Sequence, residues 1–112
     1  MQITYANKRV ERYFTDFAEM KKKINPEWVR TIKKFIDHLI AADNFGIFMS
    51  LGLGHLEQLS GKDKGKYSVR ISGNVRMIIR PLVDEGSIEI CEVIEMEGVV
   101  DYHGGKCTWY IH

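Results

Sequence analysis

Ile3 and Tyr5 alternate with polar neighbours, the period of a short strand over residues 2–6. From Val10 onward the spacing changes. Val10, Phe14, Phe17, Met20 and Ile24 recur every three or four residues, which predicts an amphipathic helix behind an Asn7 N-cap. Lys21-Lys22-Lys23 falls in its last turn, where cations favour the helix dipole. Asn25-Pro26 reads as a second N-cap with proline at the first helical position. Val29, Ile32, Phe35, Ile36, Leu39 and Ile40 then form another apolar stripe, ended by Asp43-Asn44. Two helices joined by so tight a turn form a helical hairpin.

Residues 45–56 are apolar and glycine-containing without a clean period, and read as a connection packed over the core. Gly61 to Lys66 is a turn-rich basic loop. Tyr67 to Ile71 alternates as a strand, Ser72-Gly73-Asn74 signals a hairpin turn, and Val75 to Arg80 returns, ended by Pro81. Asp84-Glu85-Gly86 is a second turn signal, and Ser87 to Met96 the next strand, whose alternation slips at Glu92 as a bulge or change of face would require. The order is β-α-α-β-β-β. It predicts an α+β fold, an antiparallel sheet with the helical hairpin on one face.

Length makes this one domain, residues 1–112, with 45% apolar and 28% charged residues. No apolar run approaches the ~20 residues of a membrane span. The start lacks the layout of a signal peptide, and two cysteines without a Cys-x-x-Cys fit a reducing cytoplasm. The net charge of +1 conceals a polarity: residues 61–80 carry +5 and residues 81–112 carry −6. That pattern permits an anionic ligand on one face, and equally permits neighbouring strands that pair with each other.

Three groups of residues could carry chemistry. Asp101-Tyr102-His103 follows the strand run and precedes two glycines. Histidine moves protons near neutral pH, tyrosine donates a hydrogen bond or stacks on a base, and aspartate orients an imidazole or acts as a base. The plain alternative is a turn-forming Asp, a half-buried Tyr and an exposed His. Arg70, Arg76 and Arg80 lie on adjacent strands, where guanidinium groups could grip phosphate, or else pair with Glu89, Glu92 and Glu95. Lys62, Lys64 and Lys66 stud a loop that could track an RNA backbone or simply be solvated. The Gly61-to-Tyr67 stretch is not a phosphate loop, because it has one residue too few and Tyr67 in place of Ser/Thr. Cys91, His103, Cys107 and His112 match no common metal spacing, so neither metal nor cofactor is expected.

Taken together, Leu56-Glu57-Gln58-Leu59-Ser60-Gly61, the basic loop, Tyr67-Ser68-Val69-Arg70-Ile71, Asn74 to Ile79 and the closing Asp101-Tyr102-His103 resemble the HigB branch of RelE/ParE-superfamily toxins. The resemblance spans nearly the whole chain and implies a RelE-like, microbial-RNase-like fold. It implies a type II toxin, a ribosome-dependent endonuclease of mRNA that inhibits translation. It further implies that Arg76 stabilises the phosphate, Tyr102 stacks or positions, and His103 and Asp101 transfer protons. Arg70, Arg80, Lys62, Lys64, Lys66, Glu57 and His55 would contact RNA. The implied partners are the small-subunit decoding site, mRNA and a HigA-like helix-turn-helix antitoxin through which the toxin oligomerises, with no membrane. Glu57 stands where some members carry histidine, and nine residues follow His103 where many members stop sooner. Two other readings share the fold: a ParE-like poison of DNA gyrase, and an inactive relative that only pairs with an antitoxin.

Overall fold

The computed structural model describes residues 1–83, 87–103 and 105–112. Strand β1 (Gln2–Tyr5) leads into helix α1 (Lys8–Thr15), whose Asn7 cap accepts from the Val10 amide at 2.9 Å. The expected single helix up to Ile24 is interrupted at Asp16. Its side chain accepts from the Glu19 amide at 3.2 Å and so starts a new helix, α2 (Phe17–Lys23). A short polar side chain that captures a backbone N–H competes with helix continuation, so the apolar period survives while the axis breaks. Asn25 caps α3 (Pro26–Ala41), and Val29, Ile32, Phe35, Ile36 and Leu39 are its buried stripe.

Residues 45–56 are more ordered than their pattern predicts. Asn44 caps a short helix, α4 (Phe45–Ser50), which drives Phe45 and Phe48 fully into the core. A two-residue strand, β2 (Glu57–Gln58), precedes a 3-10 turn at Gly61–Asp63. The hairpin of β3 (Tyr67–Ser72) and β4 (Val75–Pro81) forms as expected. The third strand of this run does not begin at Ser87. Ile88–Ile90 is a 3-10 turn, and β5 runs from Val93 to His103. The Asp84-Glu85-Gly86 turn lies outside the described residues. A sixth strand, β6 (Lys106–Ile111), then returns antiparallel to β5.

The sheet order is β1-β5-β4-β3-β2, with β6 also on β5. Strands β2 to β6 are antiparallel neighbours, whereas β1 pairs parallel with β5. This is the expected α+β arrangement with the helices on one face. The core sits between α1–α4 and the inward residues Tyr67, Val69, Val75, Met77, Ile79 and Met96. The slip in alternation occurs at Glu97-Gly98, not at Glu92. There the β4–β5 register shifts between Ile78 and Ile79, so Glu97 is the extra residue of a bulge. Gly98 (φ 149°) suits that place, since a Cβ on it would stand 2.0 Å from the Ile111 carbonyl oxygen.

Candidate functional site

Alternation along β3 and β4 puts Ser68, Arg70, Arg76, Ile78 and Arg80 on the face opposite the helices. Register then orders that open face in rows. One row holds Arg70, Arg76, Val100 and Trp109. The next holds Glu57, Ser68, Ile78 and Gly98, and the one after it Arg80 with Glu95. Ile78 and Val100 are almost completely buried although they stand apart from the helix-side core, so the face has an apolar floor.

Arg70 and Arg76 are direct cross-strand partners. Like charges directly opposite each other on a sheet are destabilising. Among the described residues neither has a carboxylate within ion-pair distance. Arg76 Nη1 donates to the carbonyls of Gly73 at 2.6 Å and Val75 at 3.1 Å, which fixes the guanidinium against its own hairpin. Its Nε and Nη2 donors make no hydrogen bond among the described residues. Arg80 is different: its Nε lies 3.9 Å from Glu97 Oε1 and its strand partner is Glu95. The ion-pair partner of Arg80 is Glu97, not the expected Glu89, Glu92 or Glu95. Arg80 is paired, while Arg70 and Arg76 present positive charge to solvent.

The Asp101-Tyr102-His103 triplet forms the last three residues of β5 and does not follow the strand run as expected. A strand sends successive side chains to opposite faces, so the triplet is divided. Asp101, paired with inward-facing Val75, accepts from the Tyr110 hydroxyl at 3.1 Å through Oδ2. Tyr110 in turn packs its ring on Trp28 of α3, centroids 5.2 Å apart. Asp101 thus belongs to the helix side, and its Oδ1 is buried without a hydrogen-bond partner among the described residues. Tyr102 shares the parity of Val100 and lies on the open face, beside Cys107. Burial, then the Cys107 and Asp63 charges, push its pKa up to about 12 against the opposing pull of Arg76. Its hydroxyl is therefore a donor at neutral pH. His103 Nδ1 lies 3.1 Å from Asn74 Nδ2, and the Tyr102 amide donates to the Asn74 carbonyl at 2.9 Å. Asn74 so ties the β3–β4 turn to the end of β5, and His103 Nε2 makes no hydrogen bond among the described residues.

The remaining expected contacts separate. Glu57 is exposed and sits one row from the paired arginines. His55 has φ 46°, so the chain is not extended at that residue. Lys62 and Lys64 are exposed on the loop. Lys66 is half-buried and spans Glu97 at 3.1 Å and Asp63 at 3.9 Å. Glu97 is the residue sequence reasoning missed, and the slipped alternation was its signal. No group of three or more His, Cys, Asp or Glu is placed to hold a metal ion among the described residues. No helix among them is long and apolar enough to cross a membrane.

Neither a protein-family model nor a curated protein matches the chain in sequence. A solved structure does match in shape: a YoeB/ParE toxin from Agrobacterium tumefaciens, with a TM-score of 0.54, at 19% identity over 97% of this chain and 98% of that one. The fold is that of a YoeB/ParE toxin. In this toxin fold the open sheet face carries Arg70, Arg76, Glu57 and Tyr102, and the helical face carries Asp101.

Proposed function

We propose that the chain is the toxin of a type II toxin–antitoxin pair, of the HigB-like branch, and that it cuts mRNA on the ribosome. The observation that carries this reading is the Arg70–Arg76 cross-strand pair, unneutralised and flanked by Tyr102 on an open face. Two guanidinium groups held opposite each other cost stability unless an anion joins them, and phosphate suits their planar donors. The toxin fold of the solved neighbour supports the same reading.

The chemistry follows from RNA itself. The 2′-oxygen attacks the adjacent phosphorus, a 2′-O–P bond forms, and the P–5′-O bond breaks. Arg70 and Arg76 neutralise the charge that builds on the phosphoryl oxygens. Glu57, one row away on the same face, takes the 2′-OH proton. Tyr102 donates its hydroxyl or stacks on the neighbouring base. His103, anchored by Asn74 at Nδ1, keeps Nε2 for hydrogen bonding or proton transfer, and Asp101 supports the site from behind through Tyr110. Lys62, Lys64 and Arg80 extend the positive surface along the RNA backbone or ribosomal RNA. The antitoxin is a HigA-like helix-turn-helix protein, met in the cytoplasm.

Brief induction of the gene, followed by primer extension on resident transcripts, tests this. The expected result is growth arrest with new 5′ ends inside coding sequence, both lost in Arg76→Ala. Arrest with intact transcripts and a DNA-damage response would instead assign a ParE-like action on gyrase. Normal growth with intact transcripts would leave an antitoxin-binding relative only.

A further inference from the structure

The far end of the open face holds a second charged cluster. Glu97 is raised there by the bulge, and its side chain is only 11% exposed. Lys66 Nζ approaches its Oε1 at 3.1 Å, and Arg80 Nε at 3.9 Å. Its other oxygen, Oε2, is buried without a hydrogen-bond partner among the described residues. Glu95, two residues earlier on the same face and more exposed, is the neighbouring carboxyl. A proton on Glu95 lets it donate to the Glu97 carboxylate. Bulges next to active sites commonly re-aim a side chain, and two carboxyls so close cannot both ionise freely.

The rows place this cluster opposite the paired arginines. Four residues of strand separate Arg76 from Arg80, roughly 13 Å of backbone. The row between them, Ser68, Ile78 and Gly98, is a buried floor, with Ser68 2% and Ile78 1% exposed. A phosphate above that floor has Arg70 and Arg76 on one side and Glu95, Lys66 and Arg80 on the other. Glu57 stands at the edge strand of the same middle row.

We propose that Glu95 is a further acid of this face, delivering a proton to the departing 5′-oxygen, and that Glu97 is its positioning residue. The inference rests on the endonuclease reading. As the P–5′-O bond breaks, the Glu95 carboxyl gives its proton to the 5′-oxygen and becomes a carboxylate. The 2′-OH proton goes to Glu57, and solvent returns one to Glu95. The charges facing Glu95 are those of Glu97 on its own strand, Arg80 on β4, and Lys66 with Asp63 before β3. The hydrogen bond to Glu97, burial and the Glu97 charge raise the Glu95 pKa to about 7, against Arg80 and Lys66. Burial acts to raise Glu97 also, but the hydrogen bonds from Glu95 and Lys66 and the two cations leave it net lowered. The proton therefore resides on Glu95.

The test is the pH–rate profile for cleavage of mRNA on purified ribosomes, with carboxyl-carbon NMR titration of the same proteins. Wild type should lose rate as pH rises through about 7. Glu95→Gln should cut ~100-fold or more slowly and lose that limb. Glu97→Gln should move the limb, and the Glu95 titration, toward the ordinary carboxylate range. Glu95→Gln with wild-type rate and profile overturns the proposal while leaving the endonuclease reading intact, as does a wild-type Glu95 that titrates like a free carboxylate. A wild type that cuts nothing overturns both.

Discussion

Gly98→Ala perturbs the bulge that shifts the β4–β5 register. An added Cβ would meet the Ile111 carbonyl oxygen at 2.0 Å, its carbon at 3.0 Å and the Trp109 ring at 3.1 Å. The first two are backbone atoms, so no rotamer change relieves the clash and β6 must move away from β5. Overpacking of this kind costs about 1–3 kcal/mol. The φ of 149° adds strain for a non-glycine residue, about 1–3 kcal/mol. The two together come to roughly 4 kcal/mol, a large part of the about 5–15 kcal/mol that holds a domain of this size. Thermal unfolding followed by circular dichroism reads the effect, and the midpoint should fall by ~10 °C or more. Gly73→Ala is the control: its φ is 41° but nothing lies within 4 Å, so it should cost only about 1–2 kcal/mol. A Gly98→Ala protein that melts within ~4 °C of wild type would refute the argument from the bulge.

Arg70→Ala should stabilise the fold by roughly 0.2–1 kcal/mol, by removing a like-charge pair, yet weaken cleavage; urea titration and ribosomal cleavage measure the two effects. Arg76→Ala should reduce cleavage by about 100–1,000-fold with little change in melting point, because relief of the same like-charge pair offsets the loss of its hydrogen bonds to the Gly73 and Val75 carbonyls. Tyr110→Phe strips Asp101 Oδ2 of its hydroxyl donor and should cost about 1–3 kcal/mol in urea unfolding. Stability should also fall as pH rises from the ordinary carboxylate range to about 7, because the folded state keeps the Glu95 proton there and the unfolded chain does not. Glu95→Gln should flatten that slope.

Elements governed by local chemistry were legible in the sequence. The apolar stripes of α1–α3, the Asn7 and Asn25 caps and the β3–β4 hairpin are each set by a few neighbouring residues. The misread places were those where a tertiary contact decides. Asp16 breaks a helix whose apolar period continues through it. Phe45 and Phe48 order a helix too short to show a period. Glu97-Gly98 shifts the register of β5 only because β4 and β6 lie on either side. The candidate site followed the same division. Arg70, Arg76 and Arg80 were readable as neighbours on adjacent strands, while the Asp101-Tyr102-His103 triplet was read as one constellation outside a strand. Within β5 its members alternate between faces, which leaves Tyr102 with the arginines and ties Asp101 to Tyr110. Glu97 could not be found by motif, since only the bulge gives it Lys66 and Arg80 as partners.

The central claim is that this face cuts RNA by attack of the 2′-oxygen. The most direct measurement uses purified protein, ribosomes and an mRNA carrying a single 2′-deoxy nucleotide at the position where the all-ribose mRNA is cut. The account predicts cleavage of the ribose mRNA, none at the deoxy position, and none anywhere with Arg76→Ala. Cleavage at the deoxy position, or an intact ribose mRNA beside folded wild-type protein, would contradict it.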